Sequence, residues 1–177
     1  RLLELAAEEI YIIVGHRYDL VVKEMYREPV HFVRQKEQLG TADAVRACES
    51  ELKGYEGDVL VLSGDVPLIT LKTLNLLMDK HKKAGADATL LITSVKNPAG
   101  YGRILQDDKG AVLRIVEEKD AADSEKQIKE INTGVYCFNW KALSETLPKI
   151  EVNPIKGEYY LTDFVRIMNA DKHIVSA

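Results

Sequence analysis

The sequence predicts an α/β protein with a mostly parallel central sheet. Short apolar runs alternate with segments of helical spacing along most of the chain, which is the pattern of alternating strands and helices. The clearest run is residues 59–62, where four apolar side chains follow one another as in a parallel strand covered by helices on both faces. Residues 103–118 instead alternate around a polar turn at 107–110, so we expect an antiparallel β-hairpin to extend the sheet.

The elements before the central strand follow from local patterns. Residues 1–9 have the apolar spacing of a helix, although no residue before them could act as its N-cap. Thr41 can cap a helix that reaches about residue 52, with Ala44, Val45 and Cys48 on its inner face. The remaining predictions here are strands at residues 10–14 and 30–33 and a short helix at residues 19–25.

The elements after the central strand are bounded by capping residues and proline. Gly85 stands just beyond a helix over residues 71–83 as its C-cap, and Asn139 can cap a helix that ends before Pro148. The remaining predictions are strands at residues 88–95, 135–138 and 174–176, a mixed helix and loop at residues 120–131, and a helix at residues 158–168.

Composition limits the class of protein. At 177 residues the chain is long enough for one domain with a substantial core, and it has no internal repeat or linker. A net charge of −4 without a basic stripe argues against a nucleic-acid partner, and no apolar run approaches the ~20 residues of a membrane span. We see no secretory signal peptide and no zinc-site spacing of histidines, and we expect Cys48 and Cys137 to be buried residues of a cytoplasmic protein.

The central strand ends at Ser63-Gly64-Asp65. Gly64 permits a tight turn and Pro67 prevents the strand from continuing, so Asp65 is expected on a rigid turn at the edge of the sheet where ligands bind in open α/β folds. There it could hold Mg²⁺ or Mn²⁺ together with substrate phosphates, or it could simply close a turn.

Two further glycine-bearing loops, at Gly40-Thr41 and at residues 100–103, also follow apolar strands and could meet at the same edge. The bare backbone at Gly40 and the free N–H groups of the helix that begins at Thr41 suit a base edge or an anion; an ordinary capped helix is the alternative. The Gln35 amide can both donate and accept, as recognition of a pyrimidine requires, but a solvated glutamine gives the same pattern.

The end of the hairpin offers a third kind of chemistry. Carboxylate and amide groups at Glu117 and Asn132 suit sugar hydroxyls, and Lys119 suits a phosphate; a solvated, charged hairpin end is the alternative. No Ser-His-Asp or Cys-His spacing indicates a covalent nucleophile. Neither GxGxxG nor GxxxxGK[ST] occurs, so the sequence supports neither a dinucleotide dehydrogenase nor a P-loop enzyme.

Six stretches carry a family resemblance across nearly the whole chain. They are QKEQLGTADAV at residues 35–45, GDVPLI at 64–69, GYGRI at 100–104, IVEEKD at 115–120, EINTG at 130–134 and GEYYLTD at 157–163. In this order they resemble the bacterial N-acetylglucosamine-1-phosphate uridyltransferases, the pyrophosphorylase part of the bifunctional GlmU family of sugar nucleotidyltransferases. The six together are far more specific than any one of them.

The resemblance implies a Rossmann-like nucleotidyltransferase domain over residues 1–177. It would join UTP to N-acetyl-α-D-glucosamine 1-phosphate with Mg²⁺ as cofactor, giving UDP-N-acetylglucosamine for peptidoglycan synthesis and pyrophosphate. In-line transfer needs no protein nucleophile, because the protein positions two anions and neutralises charge. The roles it implies are nucleotide binding by Gln35, Gln38, Gly40, Thr41, Ser63, Gly64 and Asp65, metal binding and catalysis by Asp65, catalysis by Lys119, and sugar-phosphate binding by Gly102, Glu117, Asn132, Tyr159, Tyr160 and Thr162.

The chain also departs from the family pattern. The glycine-rich LxAGxGTRM loop and following lysine that supply cations for the triphosphate are absent, as are the second Mg²⁺ ligand, an asparagine, and the β-helix that would carry acetyl transfer and trimer formation. We therefore expect these 177 residues alone to be nearly inactive, and any homo-oligomer to form through segments absent here. Two alternatives stay open: a related glucose-1-phosphate uridylyl- or thymidylyltransferase, and a noncatalytic module that binds nucleotide sugars.

Overall fold

The computed structural model describes residues 2–5 and 7–177. Its helices are α1 (Tyr18–Met25), α2 (Thr41–Arg46), α3 (Leu71–Ala84), α4 (Trp140–Thr146) and α5 (Phe164–Ala170). Its strands are β1 (Tyr11–Val14), β2 (His31–Arg34), β3 (Asp58–Leu62), β4 (Ala88–Ser94), β5 (Arg103–Gln106), β6 (Val112–Val116), β7 (Glu130–Asn139), β8 (Val152–Asn153), β9 (Glu158–Tyr159) and β10 (Val175–Ser176). Short 3₁₀ turns occupy Leu2–Leu5, Glu125–Gln127, Leu147–Lys149 and Leu161–Asp163. The α/β class is confirmed.

The chain divides into two compact units. The first contains the chain up to Tyr55 together with Ile150–Leu161, and the second contains Glu56–Lys149 and Thr162–Ala177. In the first unit β1 and β2 form a parallel pair, and β8 and β9 form an antiparallel ribbon.

The second unit is built on a six-stranded mixed sheet around β7. The strand order is β10-β4-β7-β5-β6, with β3 paired to the remaining stretch of β7. Phe164 of α5 meets two aromatic rings of β7 edge-on, with centroid distances of 5.4 Å to Tyr136 and 4.7 Å to Phe138. All three rings are buried, so this aromatic cluster fixes the side chains of β7.

Several predicted elements are confirmed with their boundary signals. The αL residue Gly85 follows α3, the Asn139 side chain accepts a hydrogen bond from the Ala142 amide at the start of α4, and β5 and β6 form the predicted hairpin. Cys48 and Cys137 are buried free thiols. Across the described residues, no helix combines the length and apolar character that crossing a membrane requires.

The expected predominance of parallel pairing is wrong. Among the described strands only β1–β2 and β4–β10 are parallel, and β3 pairs with β7 in antiparallel register. An apolar run indicates that both faces of a strand are buried. It does not indicate strand direction, because a strand with an antiparallel neighbour can be buried on both faces as well. Strand β7 is also longer than the predicted strand at residues 135–138, because it already begins at Glu130.

Three helix predictions need correction. Within residues 1–9 the described part forms only the 3₁₀ turn Leu2–Leu5. None of its residues is fully buried, so little packing offsets the cost of helix nucleation; Arg1 and Ala6 lie outside the described residues. Helix α2 ends at Arg46. After it most backbone hydrogen bonds shift to the tighter i−3 spacing, as from the Cys48 amide to the Val45 carbonyl. Residues 158–168 begin as strand β9, and the helix starts only at Phe164.

Candidate functional site

Gln35 follows β2 and is held inside the first unit. Its side chain is buried, and its Nε2 donates to the carbonyl of Gly40 at 3.1 Å and to Oδ2 of Asp43 at 2.8 Å. These two bonds use both N–H groups of the amide, so the side-chain oxygen is the group left for a ligand. Gln38 lies next to it, exposed, and donates from Nε2 to the Gln35 carbonyl at 3.3 Å.

Gly40 adopts a backbone conformation that other residues avoid. Its φ is 105° and its ψ is −178°, a region populated essentially by glycine alone. A Cβ there would lie 2.5 Å from the carbonyl oxygen and 2.8 Å from the amide nitrogen of Tyr159. The glycine is therefore required by the close approach of the β9 backbone.

The first helical residue, Thr41, does not act as the predicted cap. Gly40 occupies the N-cap position, and the Thr41 hydroxyl instead accepts a hydrogen bond from the Leu161 amide at 2.9 Å. The Tyr159 amide donates to the Leu39 carbonyl at 2.7 Å, and the Arg46 guanidinium lies 4.5 Å from the centre of the Tyr159 ring. Tyr159 and Tyr160 are both half-buried in this unit, so the predicted residues Gln35, Gln38, Gly40, Thr41, Tyr159 and Tyr160 form one group, which we call the glutamine group.

The turn after β3 belongs to the second unit. The Ser63 amide and hydroxyl both donate to the carbonyl of Gly134, each at 3.2 Å. Gly134 has φ 72°, and a Cβ there would lie 2.5 Å from the Ser63 hydroxyl oxygen. In contrast, no described atom beyond its two chain neighbours lies within 4 Å of the position of a Cβ on Gly64, so its bare backbone faces open space.

Asp65 is exposed on the same turn. Among the described residues, nothing forms an ion pair or hydrogen bond with its carboxylate, and no group of three or more His, Cys, Asp or Glu side chains could hold a metal. Mg²⁺ is commonly bound through one or two carboxylates plus substrate phosphates, so a single free carboxylate fits that mode and does not fit an all-protein cage.

The sugar-binding candidates of the second unit gather around Gly102. A Cβ on Gly102 would lie 3.5 Å from Oε2 of Glu117 and 3.6 Å from Cβ of Asn132, and the Gly102 carbonyl accepts from the Asn132 amide at 2.9 Å. The buried Thr162 hydroxyl donates to Oε1 of Glu117 at 2.9 Å. Gly102, Glu117, Asn132 and Thr162 therefore form a second group, which we call the glutamate group.

Burial raises the pKa of the Glu117 carboxyl. The hydrogen bond from Thr162 partly offsets this effect, and the negative charges of Asp120 and Asp163 add to it. Glu117 is thus a partly desolvated acceptor whose Oε1 is already engaged, which suits hydrogen bonding to a sugar hydroxyl through Oε2.

The side chain of Asn132 is engaged at both ends. Its Nδ2 donates to the Tyr136 hydroxyl at 2.7 Å and its Oδ1 accepts from the Gly134 amide at 3.2 Å. Tyr136 is buried, and burial raises the pKa of its phenol, so the hydroxyl stays protonated. Residue types alone gave no signal for Tyr136.

Two charged residues near the hairpin end behave differently. Lys119 is exposed, and none of the described residues forms an ion pair with it, so the structure leaves its predicted role open. Arg103 is buried; it donates to the Tyr101 carbonyl and, at 2.5 Å, to Glu118, whose pKa this hydrogen bond lowers. The Glu118 carboxylate also accepts from the Gly100 amide at 3.2 Å, so Arg103 and Glu118 brace the loop before Gly102.

Comparison with known proteins identifies the family. The model of the nucleotidyl transferase family matches residues 1–176. The bifunctional protein GlmU of Bacillus cereus (strain AH187) is 47% identical over 174 residues, and that of Bacillus thuringiensis (strain Al Hakam) is 46% identical over 174 residues. Each match covers 98% of this chain and 38% of the relative, so the chain spans well under half the length of these proteins.

A solved structure supports the fold. The crystal structure of UDP-glucose pyrophosphorylase complexed with UDP-glucose aligns with 99% of this chain and 74% of its own, with a TM-score of 0.69 and 17% identity. The likeness agrees with the Rossmann-like nucleotidyltransferase architecture, and the similarity to GlmU confirms the resemblance seen in the sequence motifs. The chain belongs to the nucleotidyl transferase family.

Proposed function

We propose that this chain is part of an enzyme that transfers a uridylyl group from UTP to N-acetyl-α-D-glucosamine 1-phosphate, giving UDP-N-acetylglucosamine and pyrophosphate. The 47% identity to bifunctional protein GlmU supports this choice of reaction. The observation that carries it is the glutamate group, where a partly desolvated carboxylate and an oriented amide flank a glycine that has no side chain. A cytoplasmic location, in keeping with the two free thiols, belongs to the same proposal.

The reaction needs positioning more than it needs a protein nucleophile. An oxygen of the sugar phosphate attacks the α-phosphorus of UTP, a new P–O bond forms, and the bond to the departing pyrophosphate breaks. The work of the protein is to hold two anions in line and to exclude competing geometries.

Four members of the glutamine group are proposed to recognise the uracil, namely Gln35, Gln38, Gly40 and Thr41. The free oxygen of Gln35 can accept from the N3–H of uracil, because its amide hydrogens are already bound to Gly40 and Asp43. Gly40 lets the Tyr159 backbone approach and so fixes the loop that follows Gln35, while Gln38 and Thr41 flank this glycine.

The glutamate group is proposed to hold the sugar. Oε2 of Glu117 accepts from a hydroxyl, and Asn132 bonds a second polar group of the sugar. Gly102 leaves the space beside Oε2 of Glu117 free of a side chain. Tyr159, Tyr160 and Thr162 stay assigned to the sugar phosphate, and Lys119 is proposed to place its positive charge near a phosphate.

Asp65 is proposed to hold Mg²⁺ together with phosphate oxygens of the substrate, beside Ser63 and Gly64. When bound, the ion supplies positive charge that stabilises the pyrophosphate leaving group. The contribution of the chain is a carboxylate on a short turn that is braced by the bonds from Ser63 to Gly134.

The test is a substrate panel with pyrophosphate release as the readout. The full-length gene product should work best with UTP and N-acetylglucosamine 1-phosphate in the presence of Mg²⁺. Faster turnover with glucose 1-phosphate or with dTTP would indicate the related glucose-1-phosphate enzymes. Binding of the nucleotide sugar without turnover of any pair would indicate a noncatalytic module.

A further inference from the structure

Asn132 lies at an irregularity in the sheet. Between the paired residues Leu90 and Ile92, β4 advances by two residues, while β7 advances by four, from Tyr136 to Asn132. Strand β7 therefore carries two extra residues at this point, which is a β-bulge. Bulges occur next to active sites, where they turn a side chain toward a new target.

The bulge has specific supports. Leu91, the β4 residue opposite the bulge, has no ladder partner in the β4–β7 register, and its carbonyl accepts from the Thr133 hydroxyl at 2.6 Å. Gly134 supplies the positive φ of 72°, and its carbonyl binds Ser63. The side chain of Thr133 thus replaces the hydrogen bond that the bulge removes from the ladder.

The bulge also explains how Asn132 reaches Tyr136. In a regular strand, residues four positions apart are separated by about 13 Å. Two side chains that both stand perpendicular to the strand cannot form a hydrogen bond over this distance. Here Nδ2 of Asn132 lies 2.7 Å from the Tyr136 hydroxyl. The ring of Tyr136 is fixed in turn between Phe138 and Phe164, at centroid distances of 5.5 and 5.4 Å.

We propose that Tyr136 and Thr133 are positioning residues that orient the Asn132 amide toward the sugar of the nucleotide sugar. An unanchored amide can turn by 180° and exchange its donor and acceptor, so a fixed orientation is needed to tell one sugar substituent from another. This inference rests on the proposed function, because it assigns Asn132 to the sugar.

The test compares binding of UDP-N-acetylglucosamine with binding of UDP by calorimetry on the full-length gene product. Tyr136→Phe removes one oxygen and keeps the packed ring, and it should weaken UDP-N-acetylglucosamine binding about 3- to 10-fold while leaving UDP binding within about twofold. Thr133→Val should act in the same direction, and Thr133→Ser, which keeps the hydroxyl, should restore affinity. Tyr26→Phe is the matched control, since Tyr26 is an exposed tyrosine at the C-cap of α1.

The possible results distinguish failure of the positioning role from failure of the proposed sugar site. If Tyr136→Phe binds UDP-N-acetylglucosamine as tightly as the parent, or loses affinity for UDP to the same extent, the positioning role is wrong and the proposed function stands. If the parent itself binds UDP but gains nothing from the N-acetylglucosamine group, the assignment of the sugar site fails and the inference falls with it.

Discussion

Replacing Gly40 with alanine tests whether the loop before α2 is built around the β9 backbone. The new Cβ would lie 2.5 Å from the Tyr159 carbonyl oxygen and 2.8 Å from its amide nitrogen, both of them backbone atoms. That amide already donates to the Leu39 carbonyl at 2.7 Å. The ribbon would have to move away, and this hydrogen bond would break.

Two costs add in this variant. Placing a residue other than glycine at φ 105° and ψ −178° costs about 1–3 kcal/mol. Forcing a methyl group into packed backbone costs a further ~1–3 kcal/mol. We therefore expect Gly40→Ala to lower the free energy of unfolding by about 2–6 kcal/mol, a large part of the ~5–15 kcal/mol of an ordinary domain.

Urea denaturation followed by circular dichroism measures this loss. With a slope of about 2 kcal/mol per molar urea, the unfolding midpoint should fall by roughly 1–3 M. Gly64→Ala is the matched control, because no described atom beyond its chain neighbours lies within 4 Å of the added Cβ, and its stability should stay within ~1 kcal/mol of the parent. Equal midpoints for the two variants would show that the contact with Tyr159 does not determine the conformation of the loop.

Three further predictions concern charge and burial. In the full-length gene product, Asp65→Ala should lower Mg²⁺-dependent pyrophosphate release at least about 100-fold without changing the unfolding midpoint, and undiminished release would remove Asp65 from the metal site. Because burial raises the pKa of Glu117, the ionised carboxylate destabilises the fold above that pKa. Glu117→Gln should therefore be more stable than the parent at pH 7, and this gain should vanish below about pH 4.3, where the carboxyl is protonated in the unfolded chain as well. A stability difference that does not depend on pH would contradict this. Burial also raises the pKa of Cys48 to about 11 and of Cys137 to about 12, so both thiols should react with iodoacetamide at pH 8 only after unfolding, whereas rapid labelling of the native chain would refute their burial.

Elements with local determinants could be predicted from the sequence. Helix α3 has its apolar spacing, the Thr70 cap and the terminal Gly85 within one stretch of chain, and the β5–β6 hairpin has its polar turn between alternating strands. Strand direction could not be predicted in this way, because β3 pairs with β7, more than 70 residues away, and apolar residues report burial without reporting the direction of a neighbour. For the same reason the pattern at residues 158–168 did not reveal β9, whose Tyr159 amide donates a hydrogen bond to the distant Leu39 carbonyl.

In the candidate site too, the sequence identified the residues but did not show why each of them is needed. Sequence motifs selected Gly40, Gly64 and Gly102 alike, but the structure gives each a different surrounding. A Cβ at Gly40 would collide with the backbone of the distant β9, and one at Gly102 would lie 3.1 Å from the Ile115 side chain, whereas one at Gly64 would meet no described atom beyond its chain neighbours. A glycine that packing does not require is the one whose bare backbone is free to approach a phosphate, so the turn that carries Asp65 is the place where substitution should affect ligand binding more than stability.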